Sequence, residues 1–270
     1  MVLAEGITSP MPSPRQASGP TALSALDASA LAGIRVVATD VDGTLTRAGK
    51  LSAALLSSFA ALAEAGLTLI PISGRPAGEV LGLCRYLPGV TFGVAENGLF
   101  EIVPDRAPRW LGPPSDRAEL LAVGEHLNRD HAAQLVLTGD AFCRIGDVAY
   151  ERAGREVPEL ERLRTAAEAR GVHLVWSSVH VHLAARRPDK GEGLLQLLGE
   201  RGLDPRSVVT VGDAPNDAGL FTPGRFGLTV GTADVLAQRG DFPHLPDCVT
   251  RAREVEGFLE LARRLLARTG

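Results

Sequence analysis

Residues 34–45 read Ile34-Arg35-Val36-Val37-Ala38-Thr39-Asp40-Val41-Asp42-Gly43-Thr44-Leu45. The first six form a short, nearly continuous apolar run rich in β-branched residues, the pattern of a strand buried on both faces. Two carboxylates two residues apart follow it and a glycine comes next, so the strand delivers a pair of acids into one loop. A calcium loop also begins Asp-x-Asp, but it needs Gly at its sixth position and Glu at its twelfth. Here those positions hold Leu45 and Leu51, and the calcium reading is set aside.

Working outward, the chain alternates strands and helices. Ser52 can cap a helix in which Leu55, Phe59 and Leu62 recur at i, i+4 and i+7, and Gly66 stops it. Residues 67–72 form the next buried strand, 76–86 a helix and 91–95 a third strand. This rhythm is the βαβ signature of a parallel sheet with helices on both sides. It breaks between 97 and 186, where hairpin-like segments at 99–103 and Trp110 precede a helix near 115–129 and strands within 134–150. A helix near 157–170 and strands at 172–176 and 179–184 complete that stretch. The rhythm resumes with a helix at 190–201, a strand at 207–211, a helix at 215–220, a strand at 226–230 and helices at 232–239 and 254–268. The expected fold is α/β: a doubly wound, Rossmann-like core (33–96 and 187–270) interrupted by an inserted α/β cap (97–186).

Residues 1–32 differ in composition. Four of the 18 prolines fall by position 20 among Ser, Thr and Gly, which predicts a disordered arm. No Lys or Arg precedes Arg15 and Glu5 interrupts the apolar stretch, so a signal peptide is not expected.

With 270 residues, 45% of them apolar, the chain can bury a sizeable core. Its 28 basic and 32 acidic residues leave a net charge of −4, which gives no reason to expect a nucleic-acid partner. Mean hydropathy is +0.08, and no apolar run reaches the roughly 18 residues of a membrane span. Cys84, Cys143 and Cys248 lie far apart without a CxxC pair, so neither a disulfide framework nor a zinc site is indicated. A cytoplasmic protein is expected. Only Lys50 and Lys190 are lysine among the basic residues.

Three more segments lie past a core strand or open a helix, at the sheet edge where ligands bind. Ile72-Ser73-Gly74-Arg75-Pro76 places a hydroxyl and a glycine before a helix start, exposing N–H groups suited to an anion or serving simply as a cap. Asp189-Lys190-Gly191 puts a cation in the first turn of a helix, against the macrodipole, at a cost of about 0.3–1 kcal/mol. That cost points to a negative partner for Lys190. Gly212-Asp213-Ala214-Pro215-Asn216-Asp217 adds two carboxylates four apart. Like charges 4 Å apart repel by roughly 4 kcal/mol at an effective dielectric of 20. Three or four aspartates converging on one crevice therefore require a cation, and all-oxygen ligation points to Mg²⁺. Carboxylates, Mg²⁺, a lysine and helix-opening N–H groups are the parts of a phosphoryl-transfer site.

In combination and order, these four segments resemble the motifs of the haloacid dehalogenase superfamily of phosphohydrolases, over residues 34–268. The long insertion with Glu96-Asn97-Gly98 at its entrance resembles the Cof-type subgroup with an α/β cap (subfamily IIB). The resemblance implies Asp40 as nucleophile, forming an aspartyl-phosphate, and Asp42 as general acid and then base. It implies Mg²⁺ held by Asp40, the main-chain carbonyl of Asp42 and Asp213, with Asp217 in direct or indirect contact. Ser73 and Lys190 would bind the phosphoryl group with support from Asn216. Gly74 and Arg75 flank the phosphate turn, Arg75 facing either the anion or solvent.

In the cap, Val179-His180-Val181-His182-Leu183 alternates and puts both histidines on one strand face, read as surface residues ahead of zinc or substrate ligands. Arg186 and Arg187 face solvent or a second anion; Trp110 and Trp176 are read as packing. The leading expectation is a Mg²⁺-dependent phosphatase of small phosphomonoesters, among them sugar phosphates. A sugar phosphomutase of the same superfamily and a non-catalytic phospho-ligand binder are the alternatives.

Overall fold

The computed structural model describes residues 19–176 and 179–268. Strand β1 (Thr21–Ala22) leads through two short 3-10 turns to β2 (Val36–Thr39), α1 (Ala53–Glu64), β3 (Thr68–Pro71) and α2 (Ala77–Tyr86). Next come β4 (Gly93–Ala95), β5 (Phe100–Ile102) and β6 (Arg109–Trp110), paired antiparallel. A smaller unit follows, built from α3 (Arg117–His131), β7 (Val148–Glu151), α4 (Val157–Glu168), β8 (His173–Trp176) and β9 (His180–Ala184). The chain returns through α5 (Lys190–Arg201), β10 (Val208–Gly212), β11 (Leu228–Gly231), α6 (Asp234–Ala237), β12 (Cys248–Val249) and α7 (Glu254–Ala267).

Six strands pair in parallel in the order β1-β12-β11-β10-β2-β3. Successive side chains of a strand point to opposite faces, and both faces of this sheet are covered. Val37, Val209 and Val211 pack in one cluster with Leu55 and Phe59 of α1 and Phe258 and Leu261 of α7. Val36, Ala38 and Val208 join a second cluster with Leu194 and Leu197 of α5 and with Phe221. Helix α1 begins where the sequence places its cap: the Leu55 N–H donates to Ser52 Oγ at 3.2 Å.

From β2 the chain moves to β3 on one side of the sheet, while from β10 it moves to β11 on the other. The order reverses between β2 and β10, and a crevice opens past their carboxyl ends at such a point. Asp40 and Asp213 are the next residues after those two ends.

Two expectations are corrected. The arm expected over residues 1–32 does not hold from residue 19 onward. Thr21 and Ala22 pair with Cys248 and Val249, and Leu23 and Leu31 are fully buried in the first cluster. Arg268 Nη1 donates to the Leu31 carbonyl at 2.8 Å. An average over a proline-rich stretch conceals two leucines that find a core. Residues 1–18 of the expected arm lie outside the described residues. Second, the hairpin after residue 97 packs with the large unit. The chain leading into β4 bridges to β3 at Leu69–Val90 and β4 itself bridges at Ile72–Val94, Phe100 and Ile102 belong to the first cluster, and Leu111 to the second. The smaller unit has its own core only from Leu120 to Leu183, where α3 and α4 cover one face of the antiparallel sheet β7-β9-β8. The opposite face carries His180 and His182.

Candidate active site

Asp40 is held at the end of β2 by its own N–H, which donates to the Val211 carbonyl at 2.9 Å. Lys190, at the first position of α5, is fully buried. Its Nζ donates to Asp40 Oδ1 at 2.5 Å and to Asp217 Oδ1 at 2.6 Å. These are the negative partners that a lysine opposing the helix dipole required. Asp189 caps the same helix, accepting from the Gly191 N–H at 2.8 Å and the Glu192 N–H at 3.0 Å.

Asp217 is fully engaged. Its Oδ2 accepts the N–H groups of Asp213 and Ala214 at 2.9 and 3.1 Å, which folds the turn after β10 and turns Asp213 toward the crevice. Asp213 Oδ1 accepts from Thr44 Oγ1 at 2.8 Å. Gly43, at φ +81°, makes this approach possible: a Cβ there would lie 2.5 Å from Asp213 Oδ2. Carboxylate oxygens of Asp40, Asp213 and Asp217 lie within 4.8 Å of one another.

Burial first, then the neighbouring carboxylates, push the Asp40 and Asp213 carboxyls well above their ordinary range. Burial works against the Lys190 ammonium, but Asp217 and Asp40 outweigh it and hold the amine protonated. Three clustered acids offset by one ammonium leave a net negative pocket. A divalent cation fits there, because it relieves the repulsion and its preferred ligands are oxygens.

Ile72 N–H donates to the Thr39 carbonyl at 2.7 Å, which fixes the segment after β3 beside the end of β2. Ser73 is buried, and its Oγ accepts from the Arg75 N–H at 3.1 Å. A Cβ on Gly74 would meet the Asn97 carboxamide at 2.9 Å, so a larger residue there displaces that side chain. The Arg75 side chain turns to Asp42, with Nε to Oδ2 and Nη2 to Oδ1 both 2.7 Å, and also to Glu79. Asn216 is exposed, and none of the described side chains hydrogen-bonds to it. The structure thus brings together Asp40, Asp213, Asp217 and Lys190 and pairs Asp42 with Arg75.

Several neighbours of the crevice escaped the sequence reading. Thr44 is one. Others are Arg144 and Asp147, a buried ion pair joined to Gly74 through Arg144. His182, expected on the surface, is 5% exposed with Nδ1 2.7 Å from Asp147 Oδ2. Arg186 donates to the carbonyls of Gly98 and Leu111. Trp110 packs on Phe100, ring centroids 4.1 Å apart. Acids four before and three after an arginine were the only signal for Arg144, and in an irregular loop that spacing carries no periodicity.

No protein-family model matches the chain. The phosphoglycolate phosphatase of Methanopyrus kandleri is 30% identical over 245 residues, covering 86% of this chain and 97% of its own. That of Haloarcula marismortui is 30% identical over 228 residues, 82% of this chain and 92% of its own. Among solved structures, a haloacid dehalogenase-like hydrolase from Bacteroides thetaiotaomicron superposes with a TM-score of 0.68 at 18% identity, covering 86% of this chain and 99% of that one. The chain belongs to the haloacid dehalogenase superfamily. Its curated relatives are phosphatases, and it is a phosphoric monoester hydrolase.

Proposed function

We propose that the chain hydrolyses small phosphomonoesters with Mg²⁺, through a phosphoryl group carried on Asp40. The observation that carries this reading is the buried Asp40–Lys190–Asp217 cluster beside Asp213, at the point where the strand order reverses. In the first step an Asp40 oxygen attacks phosphorus, the ester P–O bond breaks, and Asp42 gives a proton to the departing oxygen. In the second, water attacks the same phosphorus, Asp42 takes its proton, and the bond to Asp40 breaks. A carboxylate nucleophile thereby divides one slow hydrolysis into two easier displacements. Both Asp42 oxygens accept from Arg75, so Asp42 exchanges one of these bonds when it meets the leaving group.

Lys190 keeps its charge beside the attacking oxygen, while Ser73 and the N–H groups of its turn bind the phosphoryl oxygens. Asp40, Asp213 and the Asp42 carbonyl would hold Mg²⁺, which supplies charge neutralisation for those oxygens. Asp217, spent on Lys190 and two N–H groups, keeps the other members in place. Phosphoglycolate is the first substrate to test, because that name runs through relatives matching more than four-fifths of the chain. Sugar phosphates are the second.

The test is Mg²⁺-dependent release of inorganic phosphate from p-nitrophenyl phosphate, phosphoglycolate and a panel of sugar phosphates. Asp40→Asn is expected to lower kcat by at least about 10³-fold, in line with the loss of a nucleophile. Undiminished turnover in that variant overturns the reading. Isomerised sugar phosphate without free phosphate turns it into a mutase.

A further inference from the structure

The turn at 73–75 is braced from outside its own loop. Arg144, shortly before β7, donates from Nη1 to the Gly74 carbonyl at 3.1 Å, across 70 positions of sequence. Arg144 is 5% exposed, and its other bonds stay within the smaller unit. Asp140 accepts from Nη2 at 2.8 Å and from Nε at 3.2 Å, and Asp147 accepts from Nη1 at 3.1 Å. Behind Asp147 stands His182. The same loop is anchored by Glu96, which is wholly buried. One of its oxygens accepts the Ile145 N–H at 2.8 Å, and the other accepts those of Gly146 and Asp147 at 2.8 and 3.0 Å.

The Gly74 carbonyl and the Arg75 N–H belong to one planar peptide unit and point in opposite directions. Holding the carbonyl therefore aims the N–H, which donates to Ser73 Oγ at 3.1 Å. A hydroxyl that accepts one bond keeps its own proton available to donate. We propose that Arg144 is a positioning residue for phosphoryl binding: by holding the Gly74 carbonyl it sets the Gly74–Arg75 peptide, and through that peptide it directs the Ser73 hydroxyl to the phosphoryl group. This rests on the reading that Ser73 binds that group. A planar guanidinium suits the task because its fixed fork serves Asp140, Asp147 and the carbonyl at once, which an ammonium does not. Asp140, Asp147 and Glu96 hold it in place before substrate arrives.

The experiment is a double-mutant cycle of Arg144→Lys and Ser73→Ala, with KM for p-nitrophenyl phosphate and the inhibition constant of inorganic phosphate measured in the presence of Mg²⁺. Lysine keeps a positive charge between Asp140 and Asp147. In the parent chain, Arg144→Lys is expected to raise both constants together by about tenfold, with kcat changed far less. In the Ser73→Ala background the same substitution is expected to add less than about twofold. Equal effects in the two backgrounds, or a fall in kcat with both constants unmoved, overturn the inference and leave the Ser73 reading standing. Ser73→Ala with both constants unchanged overturns the Ser73 reading and the inference with it. Amide exchange offers an independent readout: the Arg75 N–H is expected to exchange faster in Arg144→Lys, and an unchanged rate counts against the proposal. If lysine fails to hold the loop, the triple variant Asp140→Asn, Arg144→Met, Asp147→Asn removes the whole charged set and is read the same way.

Discussion

Asp213 shows what it costs to gather acids in one crevice. Its carboxyl is buried against Asp40 and Asp217, and both burial and repulsion favour its protonated form. A carboxyl whose folded-state pKa lies above its unfolded value binds protons more tightly when folded, so its contribution to stability falls as pH rises above about 4. Without Mg²⁺, Asp213→Asn should therefore melt at a higher temperature than the parent chain at pH 8, with a smaller gap at pH 5.5. Mg²⁺ should reverse the order, because a ligand that binds only the folded state at a hundredfold excess over its Kd adds about 2.7 kcal/mol. Thermal melts at the two pH values, with Mg²⁺ and with chelator, check this. A variant melting below the parent without metal would count against an acid cluster under repulsion. Gly43 belongs to the same balance, since no larger residue lets Thr44 reach Asp213 without displacing its carboxylate.

At the scale of elements, the strands and helices follow from periodicity where a face is uniformly buried. β2 and β10 are four and five residues of almost wholly apolar sequence, covered on both faces, and α1 follows the spacing of Leu55, Phe59 and Leu62. The exceptions lie where one element borrows its partner from far away. β1 has two residues and no period of its own; it exists because β12 offers an edge and Leu23 finds the cluster beneath α7. Leu23→Ala should cost about 2–5 kcal/mol, the range for truncating a fully buried leucine. Denaturant unfolding measures it, and a loss under about 0.5 kcal/mol, as at an exposed site, would contradict the packing of this segment. The hairpin β4–β6 is the second exception. Its antiparallel pattern matches that of the smaller unit's strands, and it is tertiary packing, of Phe100 and Ile102 in one cluster and Leu111 in the other, that assigns it to the larger core.

For the whole molecule, the joint between the two units lies at Glu96. This carboxylate accepts N–H groups from Ile145, Gly146 and Asp147 on one unit and from Ala77, at the start of α2, on the other. Burial and the charge of Asp147 push its carboxyl up while the N–H groups of 145–147 oppose them. Leaving a buried donor unsatisfied costs about 1–3 kcal/mol, so Glu96→Ala should loosen the loop at 144–147 before it loosens the sheet. Hydrogen exchange is expected to accelerate at residues 145–147 while α7 keeps its protection. Equal acceleration in both would mean that Glu96 supports the fold as a whole and not the joint.

Short-range chemistry was enough for the doubly wound core and for the places where its acids leave the strands. Apolar runs, caps and the Asp40, Asp213 and Asp217 turns are each written within a few residues, and a lysine placed against a helix dipole announces its partners. Packing across long stretches of chain decided the rest: that Asp217 is spent on Lys190 and the turn, that Arg75 pairs with Asp42, that residues 19–32 join the core, and that Arg144 reaches Gly74. Those outcomes turn on which buried groups find one another once water is excluded, a competition among distant residues that no local period records.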